Sequence, residues 1–443
     1  MNQFFRMIFG LGDTPGPLNI YTLGGLIWVL TTFYYPYAFI TISRAMEKMD
    51  PSLEEASRIS GASPLLTVFR VTLPMMTPSL IAGALLVFVK TLSEYGTPYT
   101  LGRRIGFYVF TTDIHRYSTT APIDFGRSAS LSSILVCICM VMWLLQNDIT
   151  NKKSYRLVSG KGSRPAQTKL SAAGKLGAWL WVALVVLIVI GVPYFSIIST
   201  SVIKLRGYGL AAGNFTLDHY KELLTTPKAL SSIWKSLFLA VSSATICSVI
   251  GTAVVVAVRK STGFFKKALE GISPLPEMLP SIVLVIGIML FWNAIYQVLP
   301  LYNTIWIIVL AYVVLYLPYT VQYVTSAFTQ INDSLLQAGR VFGGTPAYVF
   351  RRVTLPMISP TVFYLVITGF IGAFKAYSDA VALFGTNLNA AGMNTIVGYV
   401  YDMLYGDSGG FPSYASAAAI LLFVIVLTIT CINLLVSKKH VHY

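Results

Sequence analysis

Charged side chains are the first scarcity in this 443-residue sequence: Asp, Glu, Lys and Arg make up 11% of it, where a soluble domain carries about a quarter. With 55% hydrophobic residues and a mean hydropathy of +0.69, that scarcity excludes a soluble globular enzyme. Acids are scarcer than bases, 17 against 32, for a net charge of +15. No basic run is interleaved with aromatics as a nucleic-acid groove would be. The imbalance therefore reads as the cytoplasmic bias that orients a membrane protein, with membrane lipid as a partner and no nucleic acid. The four cysteines, Cys137, Cys139, Cys247 and Cys431, fall inside apolar segments, which reads as buried thiols and not as a disulfide framework or a thiolate metal site. His115, His219, His440 and His442 are scattered, so no constellation marks a catalytic or metal centre and no cofactor is expected. A phosphate loop is missing as well. Gly160-Lys161 is followed by Gly162 where Ser or Thr is required, and Tyr155 stands at the first glycine position.

What is present is a series of apolar runs long enough to cross a bilayer, at 19–43, 75–92, 127–146, 176–198, 236–258, 276–296, 303–326, 357–376 and 413–436. They predict an all-α polytopic membrane protein with nine spans. Between the third and fourth runs lies a polar stretch holding Lys152, Lys153, Arg156, Lys161, Arg164, Lys169 and Lys175 against the single acid Asp148. It predicts a first half at 1–148, a basic cytoplasmic linker at 149–175 and a second half at 176–443. Alternation from that linker puts 44–74, 259–275, 327–356 and the C-terminus on the same side, and an odd span count puts the N-terminus outside. The segment before the first run, with Arg6 and Asp13 among Gly and Pro, does not read as a cleaved signal peptide.

An internal repeat organises the chain. At an offset of 282, Tyr34–Pro78 aligns with Tyr316–Pro360 without a gap, and 17 of 45 positions are identical, where chance gives about one in twenty. Within it, Asp50 before Pro51 and Asn332 before Asp333 are N-cap candidates for a helix of about ten residues. Gly61 and Gly343 stand where a left-handed C-terminal residue is needed. Ser63-Pro64 and Thr345-Pro346 then recap a second helix, which ends at the Leu73-Pro74 or Leu355-Pro356 that opens the next span. Each loop thus predicts a compact helix, turn and helix exposing a defined surface.

Glu55-Ala56-Ser57, Gly61 and the distal Leu73-Pro74 resemble the EAA loop of permease subunits of binding-protein-dependent ABC importers, the MetI-like inner-membrane components. Trp234-Lys235-Ser236-Leu237-Phe238-Leu239-Ala240 is similar to a span-opening signature of that family, and Pro276-Glu277-Met278-Leu279-Pro280 to its proline-rich helix start. Ser93-Glu94-Tyr95-Gly96-Thr97-Pro98 with Leu101-Gly102 most resembles the fused permeases of the ferric-iron branch. The resemblance implies two MetI-like halves, a separate ABC ATPase dimer, an extracytoplasmic solute-binding protein and a place in the bacterial inner membrane. It also implies that Glu55, Ala56, Arg58 and Gly61, and in the second half Gln337, Ala338, Arg340 and Gly343, contact the ATPase through coupling loops 44–74 and 327–356. Gln337 departs from the family's acid.

The family's halves have six spans each, and here the count is three plus six. The repeat offset puts the missing part at about 110 N-terminal residues, so the first half is expected to be truncated at its start. Lys90, Glu94, Glu277, Lys375 and Asp379 are expected near the interfaces. Glu94 and Tyr95, with Tyr377 at the matching place in the repeat, are expected at the mouth of a permeation path. The function these readings imply is that of the membrane-spanning permease of an ATP-driven importer for ferric iron, itself no enzyme. The alternatives are a secondary active transporter, or an importer for polyamine, thiamine, sulfate or phosphonate.

Overall fold

The computed structural model describes residues 19–47, 49–50, 52–152, 171–273, 275–301, 303–385, 388, 392–406 and 409–440. The segment before 19, Pro51, most of the expected linker (153–170) and His442 lie outside the described residues. Among the described residues the fold is helical, with one isolated β-bridge between Ile203 and Phe215. It separates into two units, one up to Pro193 and one from Tyr194.

In the first unit α1 (Leu23–Glu47) is followed by the short α2 (Ser52–Ile59) and the single turn α3 (Pro64–Thr67). The chain then enters the span α4 (Leu73–Leu92). After an irregular stretch come α5 (Phe110–Thr119), α6 (Phe125–Lys152) and α7 (Ala172–Val186). Gly83 of α4 faces Ala38 of α1, where a Cβ would meet the Ala38 backbone at an ordinary contact distance of 3.6 Å. Leu26 and Tyr34 on α1 and Met76 on α4 are buried.

The second unit holds α8 (Val192–Val202), α9 (Asp218–Thr225) and α10 (Pro227–Lys260). At about 1.5 Å per residue, the 34 residues of α10 exceed the ~30 Å hydrocarbon core, and its ends carry Lys228, Arg259 and Lys260. Then follow α11 (Gly263–Ile272), α12 (Leu275–Met278) and α13 (Ser281–Ala294). The span α14 (Ile305–Thr329) leads into α15 (Asp333–Val341), α16 (Pro346–Val349) and the span α17 (Leu355–Phe374). The unit closes with α18 (Ser378–Phe384), α19 (Ile396–Tyr405) and α20 (Pro412–His440). One core joins Val255 of α10, Val324 and Phe328 of α14, and Ile358 and Leu365 of α17. Gly251 of α10 abuts Thr320 of α14 so closely that a Cβ would come within 2.5 Å of its methyl.

Eight described helices are long and apolar enough to cross a membrane, and they correspond to eight of the nine expected runs. The ninth, 276–296, is bent, and the count among the described residues reaches nine if the bent pair is one span. Lys266–Glu277 and Ser281–Ala294 meet at 109°, because Pro276 and Pro280 deny the backbone two amide donors where a continuous helix needs them. The 14 residues of α13 reach about 21 Å, short of a full crossing. The cysteines also depart from expectation: Cys139 and Cys247 are buried, but Cys137 and Cys431 are exposed. On a membrane span an exposed face meets lipid, which is as apolar as a core.

Three spans share a local device. Wide π-type turns cover Val68–Thr72, Leu187–Gly191 and Phe350–Thr354, and each ends two residues before a proline: Pro74, Pro193 and Pro356. Proline lacks the N–H for its i−4 carbonyl, and its ring crowds that carbonyl. Widening the turn so that Leu73 N–H donates to Val68 O, and Leu355 N–H to Phe350 O, removes the conflict without breaking the helix.

Candidate functional site

The caps and turns of the two repeated loops fall where the spacing predicts, but the second helix does not end at Leu73-Pro74 or Leu355-Pro356 and runs on into the span, as Pro64–Leu92 and Pro346–Phe374. The Asp50 carboxylate accepts the Ser52 N–H at 2.9 Å and the Asn332 side chain accepts the Ser334 N–H at 3.1 Å. At the far ends, Gly61 and Gly343 have φ of +84° and +80°, values open to glycine at little cost. Gly61 N–H donates to Arg58 O and Ala62 N–H to Ser57 O, and the equivalents run Gly343 to Arg340 and Gly344 to Gly339. This is a Schellman closure written twice. Ser63 Oγ and Thr345 Oγ1 then accept the Leu66 and Tyr348 amides, both at 3.3 Å.

With both ends fixed, α2 and α15 present a consistent surface. Glu55, Ala56, Arg58 and their counterparts Gln337, Ala338 and Arg340 are exposed. So are apolar side chains at equivalent places, which the sequence reading did not single out: Leu53 with Leu335, and Ile59 with Val341, the latter pair 88% and 83% exposed. The signal was available, since both pairs are apolar at the same repeat position. Exposed apolar groups flanked by Arg on a short rigid helix form a surface that gains by being covered.

Inside the loops the two copies differ. In the first, Ser57 Oγ lies 3.0 Å from Thr67 Oγ1, and Thr72 Oγ1 donates to Glu54 Oε1 at 2.9 Å. In the second, the equivalents are Gly339 with Val349 and Leu336 with Thr354. A Cβ on Gly339 would come within 3.1 Å of Val349 Cγ2.

Glu94, Tyr95 and Tyr377 lie in the stretches that follow α4 and α17. Glu94 follows the end of α4. Its Oε2 accepts Tyr34 Oη at 2.5 Å, and Tyr34 sits eleven residues into the 25-residue span α1. Thr97 N–H donates to Glu94 Oε1 at 3.2 Å, and Thr111 Oγ1 donates to Glu94 O at 2.6 Å. Tyr95 is buried and packs on Tyr99 and His115, with ring centroids 5.1 and 5.0 Å away. In the second unit Tyr377 packs on Tyr401 at 5.1 Å, and Tyr401 on Tyr405 at 5.2 Å. Lys375 and Glu277 are exposed, the latter accepting Gln322 Nε2 at 2.6 Å.

Comparison with known proteins gives a family and a set of relatives. The family described as binding-protein-dependent transport system inner membrane component matches residues 5–152 and 249–440. The Fe(3+)-transport system permease protein FbpB 2 of Haemophilus influenzae is 26% identical over 349 residues, covering 76% of this chain and 63% of that protein. The ferric transport system permease protein FbpB of Actinobacillus pleuropneumoniae is 24% identical over 437 residues, covering 96% and 60%. A spermidine/putrescine transport system permease protein, PotC of Haemophilus influenzae, is 21% identical over 57% of the chain and 93% of its own length. The chain therefore spans about six-tenths of the length of the ferric relatives. Among solved structures, a bacterial ABC transporter involved in the import of the acidic polysaccharide alginate shares the fold, with a TM-score of 0.50 and 18% identity over 60% of this chain and 95% of that one.

Proposed function

The chain belongs to the binding-protein-dependent transport system inner membrane component family, and from that premise we propose that it is a permease of an ATP-driven importer whose solute is ferric iron. It is a multi-pass inner-membrane protein. The observation that carries the proposal is the duplicated loop: two doubly capped helices displaying Leu53, Ile59 and Arg58 in one copy and Leu335, Val341 and Arg340 in the other. Two equivalent surfaces suit two equivalent partners, as a separate ATPase dimer would supply. On this reading Glu55, Ala56, Arg58, Gly61, Gln337, Ala338, Arg340 and Gly343 hold the coupling contact. The ATPase then drives the permease to the extent that its closed form binds the loops better in one state than in the other.

Ferric iron is supported by the ferric permeases among the relatives, while polyamine and sulfate permeases also match. A solute-binding protein would deliver the cargo at the outer face. One observation favours a second reading: Glu94, bonded to Tyr34 near the middle of α1, is the kind of acid that ion-coupled secondary transporters use. The test is uptake into proteoliposomes holding the chain with its genomically adjacent ATPase and binding protein, offered ferric iron, sulfate and spermidine. The proposal expects ferric uptake that requires ATP and stops with orthovanadate. Uptake driven by an ion gradient without ATP would replace it with the secondary-transporter reading.

A further inference from the structure

Four arginines of the first unit lie outside the repeated loops, in the segment 103–127, and each is laid against a tyrosine. Arg103 stands over Tyr99 and Arg104 over Tyr21, while Arg116 and Arg127 share the one ring of Tyr117, 4.9 and 5.7 Å from its centroid. Ion pairs hold the last two, Arg116 to Asp113 at 3.1 Å and Arg127 to Asp124 at 3.2 Å. Asp124 N–H donates to Tyr117 O at 2.8 Å, which ties the start of α6 back onto the end of α5. A guanidinium set over a phenol and beside a carboxylate is a positioned group and not a solvated charge run.

These groups border a cavity of about 570 Å³, lined by Tyr117, Asp124, Arg127, Ser130 and Leu131, a volume within the roughly 300–1,000 Å³ of small-molecule sites. Its polar groups are of both kinds. Arg127 meets Asp124 through Nε and stays 69% exposed, so its terminal N–H groups remain for an acceptor. Tyr117 Oη accepts from Arg116 Nη2 at 3.2 Å and keeps its own proton to donate. Ser130 Oγ donates to Gly126 O at 2.9 Å and keeps lone pairs to accept, and the Asp124 carboxylate is 42% exposed. The Arg127 and Ser128 amides are already taken, by Asp124 Oδ1 and Asp124 O, so recognition falls to side chains.

A second cavity decides what kind of molecule suits the first. It measures about 390 Å³ and is lined only by apolar residues, Ile81, Ala84, Leu85 and Phe88 of α4 and Met142 of α6. Leu131 of the first cavity and Met142 of the second are eleven positions apart on α6, three turns and hence on one side of it. Half-buried Ile138 lies between them and exposed Ile134 beside them. Eleven residues rise about 17 Å, close to half of the ~30 Å hydrocarbon core, which is the reach of one leaflet's acyl chains. The same helix is a candidate membrane span from Phe125. A charged cavity at the start of a span with an apolar slot one chain length along it matches a phospholipid, whereas a soluble anion has no use for the slot.

We propose that the two cavities together hold one zwitterionic aminophospholipid, of the chemistry of phosphatidylethanolamine. Its phosphate accepts from Arg127 and Tyr117, its ammonium donates to Asp124 and Ser130, and an acyl chain follows Leu131, Ile138 and Met142 into the slot between α4 and α6. A lining with one cation and one anion matches a head that carries both charges. Phosphatidylglycerol brings a net negative charge against Asp124, and a choline head brings no N–H for the Asp124 and Ser130 oxygens. The site is independent of the solute the chain carries. It sets the lipid against α4, the span that the first repeated loop enters.

The test is native mass spectrometry of the full chain released from nanodiscs of equal parts phosphatidylethanolamine, phosphatidylglycerol and phosphatidylcholine with the same acyl chains. Phosphatidylethanolamine is expected to stay bound, favoured about fivefold or more over either competitor, as a partly exposed charged contact supplies. Asp124→Asn keeps a helix cap and should erase that preference, and Arg127→Gln should lower retention of all three lipids. Ala84→Trp fills the slot and should release the lipid with both charges in place. Soluble phosphoethanolamine should not displace it. The wild-type preference is read without any variant, so a variant that misfolds does not decide the outcome. Equal or greater retention of phosphatidylglycerol or phosphatidylcholine by wild type overturns the proposal. So does a preference unchanged in Asp124→Asn, a lipid retained by Ala84→Trp, or displacement by phosphoethanolamine.

Discussion

Ser57 and Thr67 meet hydroxyl to hydroxyl at 3.0 Å across the turn at Gly61, and the repeat replaces them together, with Gly339 and Val349. A polar bolt in one loop has become an apolar contact in the other, and half an exchange leaves a misfit. Thr67→Val alone is expected to destabilise the first loop by about 1 kcal/mol, since it strands a hydroxyl. Adding Ser57→Gly should recover much of that loss. Gly339→Ser alone places a Cβ 3.1 Å from Val349 and should loosen the second loop until Val349→Thr is added. Amide exchange of each loop measures all four, and additive effects would show that the pairs are independent.

Gly61 and Gly343 close both helices at positive φ. Alanine at either position is expected to cost about 1 kcal/mol, the penalty of a Cβ in the left-handed region. The loss should appear as faster exchange of the Ala62 and Gly344 amides, whose bonds to Ser57 O and Gly339 O depend on the turn. Exchange in the spans should not change.

The two N-caps differ in one atom type, and that predicts an asymmetry with pH. The Ser52 amide holds the Asp50 carboxyl below its ordinary value. Its contribution is therefore complete above the unfolded carboxylate value of about 3.9 and is lost as pH falls through the lowered one. Asn332 does not titrate. Protection of the first loop, corrected for intrinsic exchange, should drop in acid while that of the second holds, and Asp50→Asn should abolish the difference.

Lys228 Nζ lies 2.7 Å from Asp402 Oδ2, joining α10 to α19, with side chains 28% and 18% exposed. Lys228→Met strands the carboxylate and is expected to cost about 2 kcal/mol, less than a fully buried pair because water reaches both groups. Lys228→Met with Asp402→Leu should recover over half of it. Thermal unfolding in detergent is the readout, and equal losses in both variants would refute the coupling.

These particulars show which parts of the molecule were legible in the sequence. The loops were, because caps and glycine turns are local: Asp50, Gly61 and Ser63 each act within five residues. Eight spans were legible because length and apolarity are local too. The bend between α12 and α13 was not, since Pro276 and Pro280 were read as the start of a span and not as a break within the run 276–296. The partner of Glu94 was also hidden. It depends on a hydrogen bond across sixty residues, and Glu94 stands at the end of its own helix.

The most direct test of the central claim, that the repeated loops dock an ATPase, is retention of the co-expressed ATPase on the purified chain in nanodiscs. Ile59→Glu with Val341→Glu changes two exposed side chains and touches no core. The account predicts that wild type retains the ATPase, that each single variant retains less, and that the double variant retains none while its thermal unfolding is unchanged. Equal retention by wild type and the double variant would contradict it.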